Sequence, residues 1–303
     1  MRFRPVFVVL AVAILATPLH AVPPARSEAL SQVESARRDA VERFLRARLF
    51  AADGEFQEAL KEFRRAVELD PEDGHLRREY AEALRDFGIL PEAEQQARRS
   101  VELVPESASA HRVLGQILLS KARDKEGIEA ALPSLKRACD LQPSEPSGAL
   151  ALGQAYLKLD RPQEAAAVLA RVQDRPRGPI LPLLFGEALE KSGKPEEAEE
   201  VYLGILRQDG ENRSATLGLL RVYQMTRRFD KALPLLAELV EDQPGNLGLK
   251  AQYGFALLRA RRLDEAEKVF VEVLKADPDN RTPSGTTPLS SPSDSRRRAR
   301  TTS

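Results

Sequence analysis

Cysteine occurs once in 303 residues, as Cys139; tryptophan is absent, and only three histidines and two methionines occur. A single thiol excludes an intramolecular disulfide, so stability has to come from packing. In an exported chain an odd cysteine either pairs with another chain or reacts, but the commoner state, expected for Cys139, is a small buried hydrophobe. Past residue 21 only His75 and His111 remain, without the i, i+4 spacing of a helical metal pair. No glycine-rich phosphate loop, cysteine pair or G-x-S-x-G motif occurs. With those constellations missing, no catalytic residue, metal ligand or cofactor is predicted. The acidic cluster Glu196, Glu197, Glu199 and Glu200 reads as a solvated helix face.

An excess of either charge is also lacking. Lys plus Arg and Asp plus Glu both number 46, so nothing is built to neutralise a nucleic-acid backbone. Arg296, Arg297, Arg298 and Arg300 cluster near the end and leave the rest mildly acidic. The longest apolar run, Val6 to Ala16, is shorter than the roughly 20 residues a membrane-spanning helix needs. It follows Arg2 and Arg4 and ends at Pro18, the layout of a secretory signal peptide, with cleavage expected after Ala21. That places the chain outside the cytoplasm, periplasmic or extracellular. The same flanks suit an uncleaved inner-membrane anchor over residues 5–21, the only membrane contact the sequence suggests.

What is present is a period. Ala59, Ala93, Ala131, Ala165, Ala198, Ala232 and Ala266 fall at intervals of 34, 38, 34, 33, 34 and 34 residues. The only three asparagines, Asn212, Asn246 and Asn280, are 34 apart. A fixed period of this size means one supersecondary unit copied in series, each copy burying its apolar face against its neighbours. Residues 247–280 give the clearest copy. Ala251, Phe255 and Leu258 form one helical stripe, Arg261 to Leu263 break it, and Ala266, Val269, Phe270 and Val273 form a second. Asp264 reads as the N-cap of the second helix, Pro278 as its stop. A connection this short makes an antiparallel helical hairpin.

This pattern resembles the tetratricopeptide repeat, whose consensus runs Trp, Leu-Gly, Tyr, Ala, Phe, Pro. The Leu-Gly slot reads Leu114-Gly115, Leu152-Gly153, Phe185-Gly186 and Tyr253-Gly254, with Ala47 and Ala81 for Gly earlier. Tyr156 and Tyr223 fill the Tyr slot, and Phe63, Tyr202 and Phe270 the Phe slot. Pro71, Pro105, Pro143, Pro244 and Pro278 close five units. Trp never appears in its slot, Arg177 and Gly210 replace Pro, and Leu220 replaces Gly. The resemblance implies an all-α fold, a right-handed superhelical solenoid of antiparallel helical hairpins. Seven units are expected, at 40–73, 74–107, 108–145, 146–178, 179–212, 213–246 and 247–280. They follow a signal peptide (1–21) and a linker with an N-terminal helix extension (22–39), and precede a disordered Ser/Thr/Pro/Arg-rich tail (281–303).

Local expectations follow. The four extra residues of the third unit are placed at Arg123 to Gly127, as a longer turn. Pro133 and Pro234 are expected to kink their helices. Ser31 and Glu34 have capping-box spacing, so the first helix is expected to begin near Glu28 and run past Phe50. No polar capping element follows the last unit, which would leave Val269 and Val273 facing solvent. Self-association through that end, a covering partner and an interrupted array each account for this.

The resemblance also implies that first helices line a concave groove. Carried over slot by slot, its inward positions begin with Phe44 and Arg48 and end with Ala251 and Phe255. Candidate partner-binding residues in between are Arg78, Arg112, Gln116, Leu150, Gln154, Leu183 and Glu187. No unit carries the lysine and asparagine, one turn apart, with which some relatives hold C-terminal carboxylates. Amides beside apolar anchors suit an extended peptide or a helix. The expected function is a non-catalytic protein–protein interaction scaffold of the cell envelope, with a protein or peptide partner and no nucleic acid. The alternative is an accessory segment of a larger enzyme or sensor whose C-terminal part is missing.

Overall fold

The computed structural model describes residues 24–174 and 178–277. The expectations for the signal peptide, Arg177, Pro278, Asn280 and the tail fall outside them. Among the described residues there is no strand. The helices are α1 (Pro24–Ala52), α2 (Phe56–Leu69), α3 (Gly74–Asp86), α4 (Leu90–Leu103), α5 (Ala108–Lys121), α6 (Lys125–Leu141), α7 (Pro146–Lys158), α8 (Pro162–Ala170), α9 (Ile180–Lys191), α10 (Pro195–Gln208), α11 (Arg213–Met225), α12 (Phe229–Asp242), α13 (Leu247–Arg259) and α14 (Leu263–Ala276). They pair in sequence, and each pair is joined by three residues. None of these helices is long and apolar enough to cross a membrane.

The chain divides into two compact units, Met1–Leu76 and Arg77–Ser303, with the boundary in the first turn of α3. In the first, α1 lies on α2 through the edge-to-face pair Phe44 and Phe63, ring centroids 6.0 Å apart. Arg43 Nη1 donates to both oxygens of the buried Glu62 carboxylate, at 3.0 and 2.9 Å. In the second unit one continuous core runs from Ala131 to Ala266.

The alanine series is the packing spine. Ala59, Ala93, Ala131, Ala165, Ala198 and Ala232 are completely buried and Ala266 nearly so. The Leu-Gly slot serves close helix approach. A Cβ on Gly186 would meet the Tyr202 ring at 2.7 Å, and one on Gly218, two residues before the slot that Leu220 fills in α11, would be closer still to the same ring. The two periodic asparagines among the described residues are N-caps: Asn212 Oδ1 accepts from Ala215 N–H and Asn246 Oδ1 from Leu249 N–H, both at 3.1 Å. Cys139 is free and buried, and burial pushes its thiol up to about 11.

Several local expectations are corrected. α1 starts at Pro24, so Ser31 and Glu34 lie inside the helix and form no capping box. The inserted residues do not lengthen a turn. Residues 122–124 connect α5 and α6 as briefly as in other units, and α6 is instead 17 residues long against 14 in α2, α4, α10, α12 and α14. Asp124 caps it, accepting from Gly127 N–H at 2.8 Å. Pro133 and Pro234 interrupt neither α6 nor α12. Both prolines are exposed, as are Glu129 and Asp230 four residues earlier, so the released carbonyls face water. Arg262, not Asp264, is the N-cap of α14; Asp264 sits in its first turn, where it complements the helix dipole. Val273 is buried and Val269 half-buried, and the apolar side chains that α14 exposes are Leu263, Val271 and Leu274.

Glu199 corrects the reading of the acidic cluster. Glu196, Glu197 and Glu200 are exposed, but Glu199 is buried. It accepts from Tyr223 Oη at 3.1 Å, from Lys231 Nζ at 3.0 Å and from Arg228, tying α10 to α11 and α12. Burial opposes its ionisation, but the donors Lys231, Arg228 and Tyr223 outweigh that and hold the carboxyl below its ordinary value.

Candidate functional site

The candidate residues stand on the first helices of successive pairs within the second unit: Arg78 on α3, Arg112 and Gln116 on α5, Leu150 and Gln154 on α7, Leu183 and Glu187 on α9. Spacing of four residues puts each pair on one helix face. The structure divides them by chemistry.

Around α3 and α5 charge is matched internally. Arg78 lies 2.6 Å from Glu79 and 3.9 Å from Glu82, and Arg85 pairs with Glu82 at 3.4 Å and Asp86 at 2.7 Å. Arg112 reaches Glu82 at 3.6 Å. Gln116 Oε1 accepts from Arg85 Nη1 at 2.7 Å and from Arg112 Nη1 at 2.8 Å, so this amide oxygen is occupied from two sides.

Along α7 and α9 the surface is apolar with few polar groups. Leu150 and Leu183 are half-buried against the core. Gln154 is exposed, and so are Lys158 one turn further along α7 and Ile180 at the start of α9, which is 61% exposed. Glu187 pairs with Lys191 at 2.8 Å.

A cavity of about 480 Å³ lies between these two regions, bordered by Arg85, Gln116, Leu119, Leu150, Gln154, Lys158 and Ile180. It brings together three of the seven candidates, Gln116, Leu150 and Gln154. Arg112 borders a separate cavity of about 160 Å³ with Gln142 and Glu145. Arg78, Leu183 and Glu187 border neither. Sequence reasoning missed Arg85, Lys158 and Ile180. Arg85 lies two turns beyond the inward position Arg78 and Lys158 one turn beyond Gln154, so extending each stripe along its helix would have reached them.

A larger space of about 590 Å³ lies along α4. Its bordering charges are already engaged: Glu94 with Arg98 at 2.6 Å and with Lys121, Arg99 with Glu102 at 3.1 Å, and Arg77 with Gln96 at 2.7 Å. That is an ion-pair lattice whose one apolar border is Pro91, which leaves the smaller α5–α7 cavity as the candidate site. Among the described residues, no three His, Cys, Asp or Glu side chains are gathered in a metal-binding arrangement.

Family models described as tetratricopeptide repeat match residues 44–108, 121–179 and 183–246, together more than half of the chain, and another matches 223–283. Solved structures of similar fold include YrrB, described as a TPR protein with an unusual peptide-binding site. It superposes with TM-score 0.55 at 22% identity, covering 66% of this chain and 98% of YrrB. PilF of Pseudomonas aeruginosa superposes with TM-score 0.57 at 19% identity, covering 72% of this chain and 96% of PilF. Among curated proteins, human protein O-mannosyl-transferase TMTC3 is 28% identical over 169 residues. The match takes in 52% of this chain but only 18% of the relative's length.

Proposed function

The chain belongs to the tetratricopeptide repeat family, and on that footing we propose that it is a non-catalytic scaffold that holds a peptide or helix of a partner protein against α5, α7 and α9. One observation carries the reading: a cavity of about 480 Å³ in which the amides of Gln116 and Gln154 stand beside Leu119, Leu150 and Ile180. Apolar anchors with a few polar groups to fix orientation are what recognition of a short segment requires. The fold carries a peptide-binding site in YrrB. We further assign the chain to the cell envelope, on the strength of the signal-like residues 1–21.

A photo-crosslinking residue at Gln154 tests the surface, with one at the exposed Glu238 of α12 as control. A partner cross-linked from position 154 and not from 238 supports the assignment. Equal yields from both, or none from 154, sink it. Export is tested separately: a mature N-terminus at Val22 supports it, and a retained Met1 favours the anchored form.

A further inference from the structure

The face assigned to a partner is uneven in a way that restricts what the partner can be. On α3 and α5 the three cations Arg78, Arg85 and Arg112 are matched by Glu79, Glu82 and Asp86. A carboxylate arriving there would have to displace one already in place. On α7 the situation reverses. Leu150, Gln154 and Lys158 repeat every four residues and so form one stripe. Among the described residues, the exposed Lys158 ammonium has no ion-pair partner and the exposed Gln154 amide no hydrogen-bond partner. Both border the cavity whose apolar wall is Leu119, Leu150 and Ile180. An unengaged cation and an unengaged amide one turn apart, next to uncovered aliphatic surface, are complementary to an anion adjoining an apolar group.

We propose that this site takes a peptide segment with an aliphatic side chain and, about one helical turn away, an Asp or Glu. The aliphatic group fills the cavity against Leu119, Leu150 and Ile180. The carboxylate accepts hydrogen bonds from Lys158 Nζ and Gln154 Nε2. This rests on the α5–α9 face being the peptide site, and adds the sign and spacing of the charge it reads.

The test selects binders to the full chain from a phage-displayed random dodecapeptide library. Selected peptides, made synthetically with a benzophenone label, are then titrated against Lys158→Met, Lys158→Glu, Gln154→Ala and the remote control Lys268→Met. The expected peptides share an aliphatic residue and an acid three or four positions apart. Lys158→Met should weaken them about 3- to 10-fold, the scale of an exposed charge pair, and Lys268→Met should not. Replacing the peptide's acid by lysine should restore binding to Lys158→Glu. Peptides that cross-link to α5, α7 or α9 but lack an acid, or bind Lys158→Glu unchanged, overturn this inference and leave the surface assignment standing. Cross-links mapping elsewhere, or a library that yields no binder, overturn both. Circular dichroism of each variant separates lost contact from lost fold.

Discussion

Glu199 and Gly218 show how one residue's role depends on what the fold brings to it. Replacing Glu199 by Gln keeps the shape but removes the charge that Arg228, Lys231 and Tyr223 address. The expected loss at neutral pH is roughly 1.5–3 kcal/mol, the range for hydrogen bonds to a charged group. A carboxyl held low in the folded state contributes stability that is present above its unfolded value and lost as pH falls through its folded one. Wild type should therefore lose more stability than Glu199→Gln on acidification, and the two should converge once the pH falls below the carboxyl's folded value; urea midpoints along an acid titration measure it. Parallel curves would mean that the charge contributes nothing. At Gly218 helix propensity favours alanine by about 1 kcal/mol. The Tyr202 ring, buried against it from α10, reverses that preference. Gly218→Ala should lower stability by about 1 kcal/mol or more, read as a fall in the thermal midpoint. The sequence exposed the alanine spine because a small buried residue repeats in phase. It hid Glu199, because three exposed glutamates around it share its composition and only the partners from α11 and α12 distinguish it.

At the scale of the element, the three-residue connections explain both what could be read and what could not. Their middle residue has φ near +60 to +80° in six pairs: Gly54, Gly88, Asp160, Gly193, Arg227 and Arg261. The exception is the α5–α6 turn, where Arg123 is absent from the positive-φ set and Asp124 caps the helix directly. A side chain in the left-handed region costs about 1–2 kcal/mol, against which glycine loses part through unfolded-chain entropy. Arg227→Gly, at an exposed turn with φ 58°, should therefore stabilise the protein by about 0.5–1 kcal/mol. Gly88→Ala, at φ 78°, should destabilise it by about 1 kcal/mol. Denaturant titration of both variants checks the opposite signs, and a loss in both would remove backbone strain as the cause. The insertion was visible as a count, since the second interval is 38 residues rather than 34, and its place falls where Arg123 to Gly127 were expected, but its form, added helix rather than a longer turn, was not legible. Three to four residues make one helical turn, so the three added to α6 leave its apolar stripe nearly in phase and no mismatch marks the spot. Asp124, accepting from Gly127 N–H, is the signal that a helix start rather than a longer turn stands there.

For the whole molecule, periodicity made the all-helical paired architecture legible, because every unit repeats one burial problem and solves it with the same slots. The candidate site was legible only in part. Gln116, Leu150 and Gln154 were found by slot, but which polar groups are engaged depends on neighbours such as Arg85 and Glu82 that a slot does not specify. Repeat order also controls how damage spreads, since a unit that meets only its neighbours passes on only their interface energy. The division at Leu76 and Arg77 makes this testable. Phe63, fully buried in the first unit and packed edge-to-face against Phe44, should cost about 3–5 kcal/mol when truncated to alanine. In a globule folding as one cooperative body that loss would appear everywhere. In this chain it should raise amide hydrogen exchange in α1 and α2 while peptides from α9 to α12, in the other compact unit, keep their protection. Hydrogen-exchange mass spectrometry of Phe63→Ala makes the measurement. Equal loss of protection in α1–α2 and α9–α12 would show that the two units unfold as one and that the repeats do not act as local, separable elements.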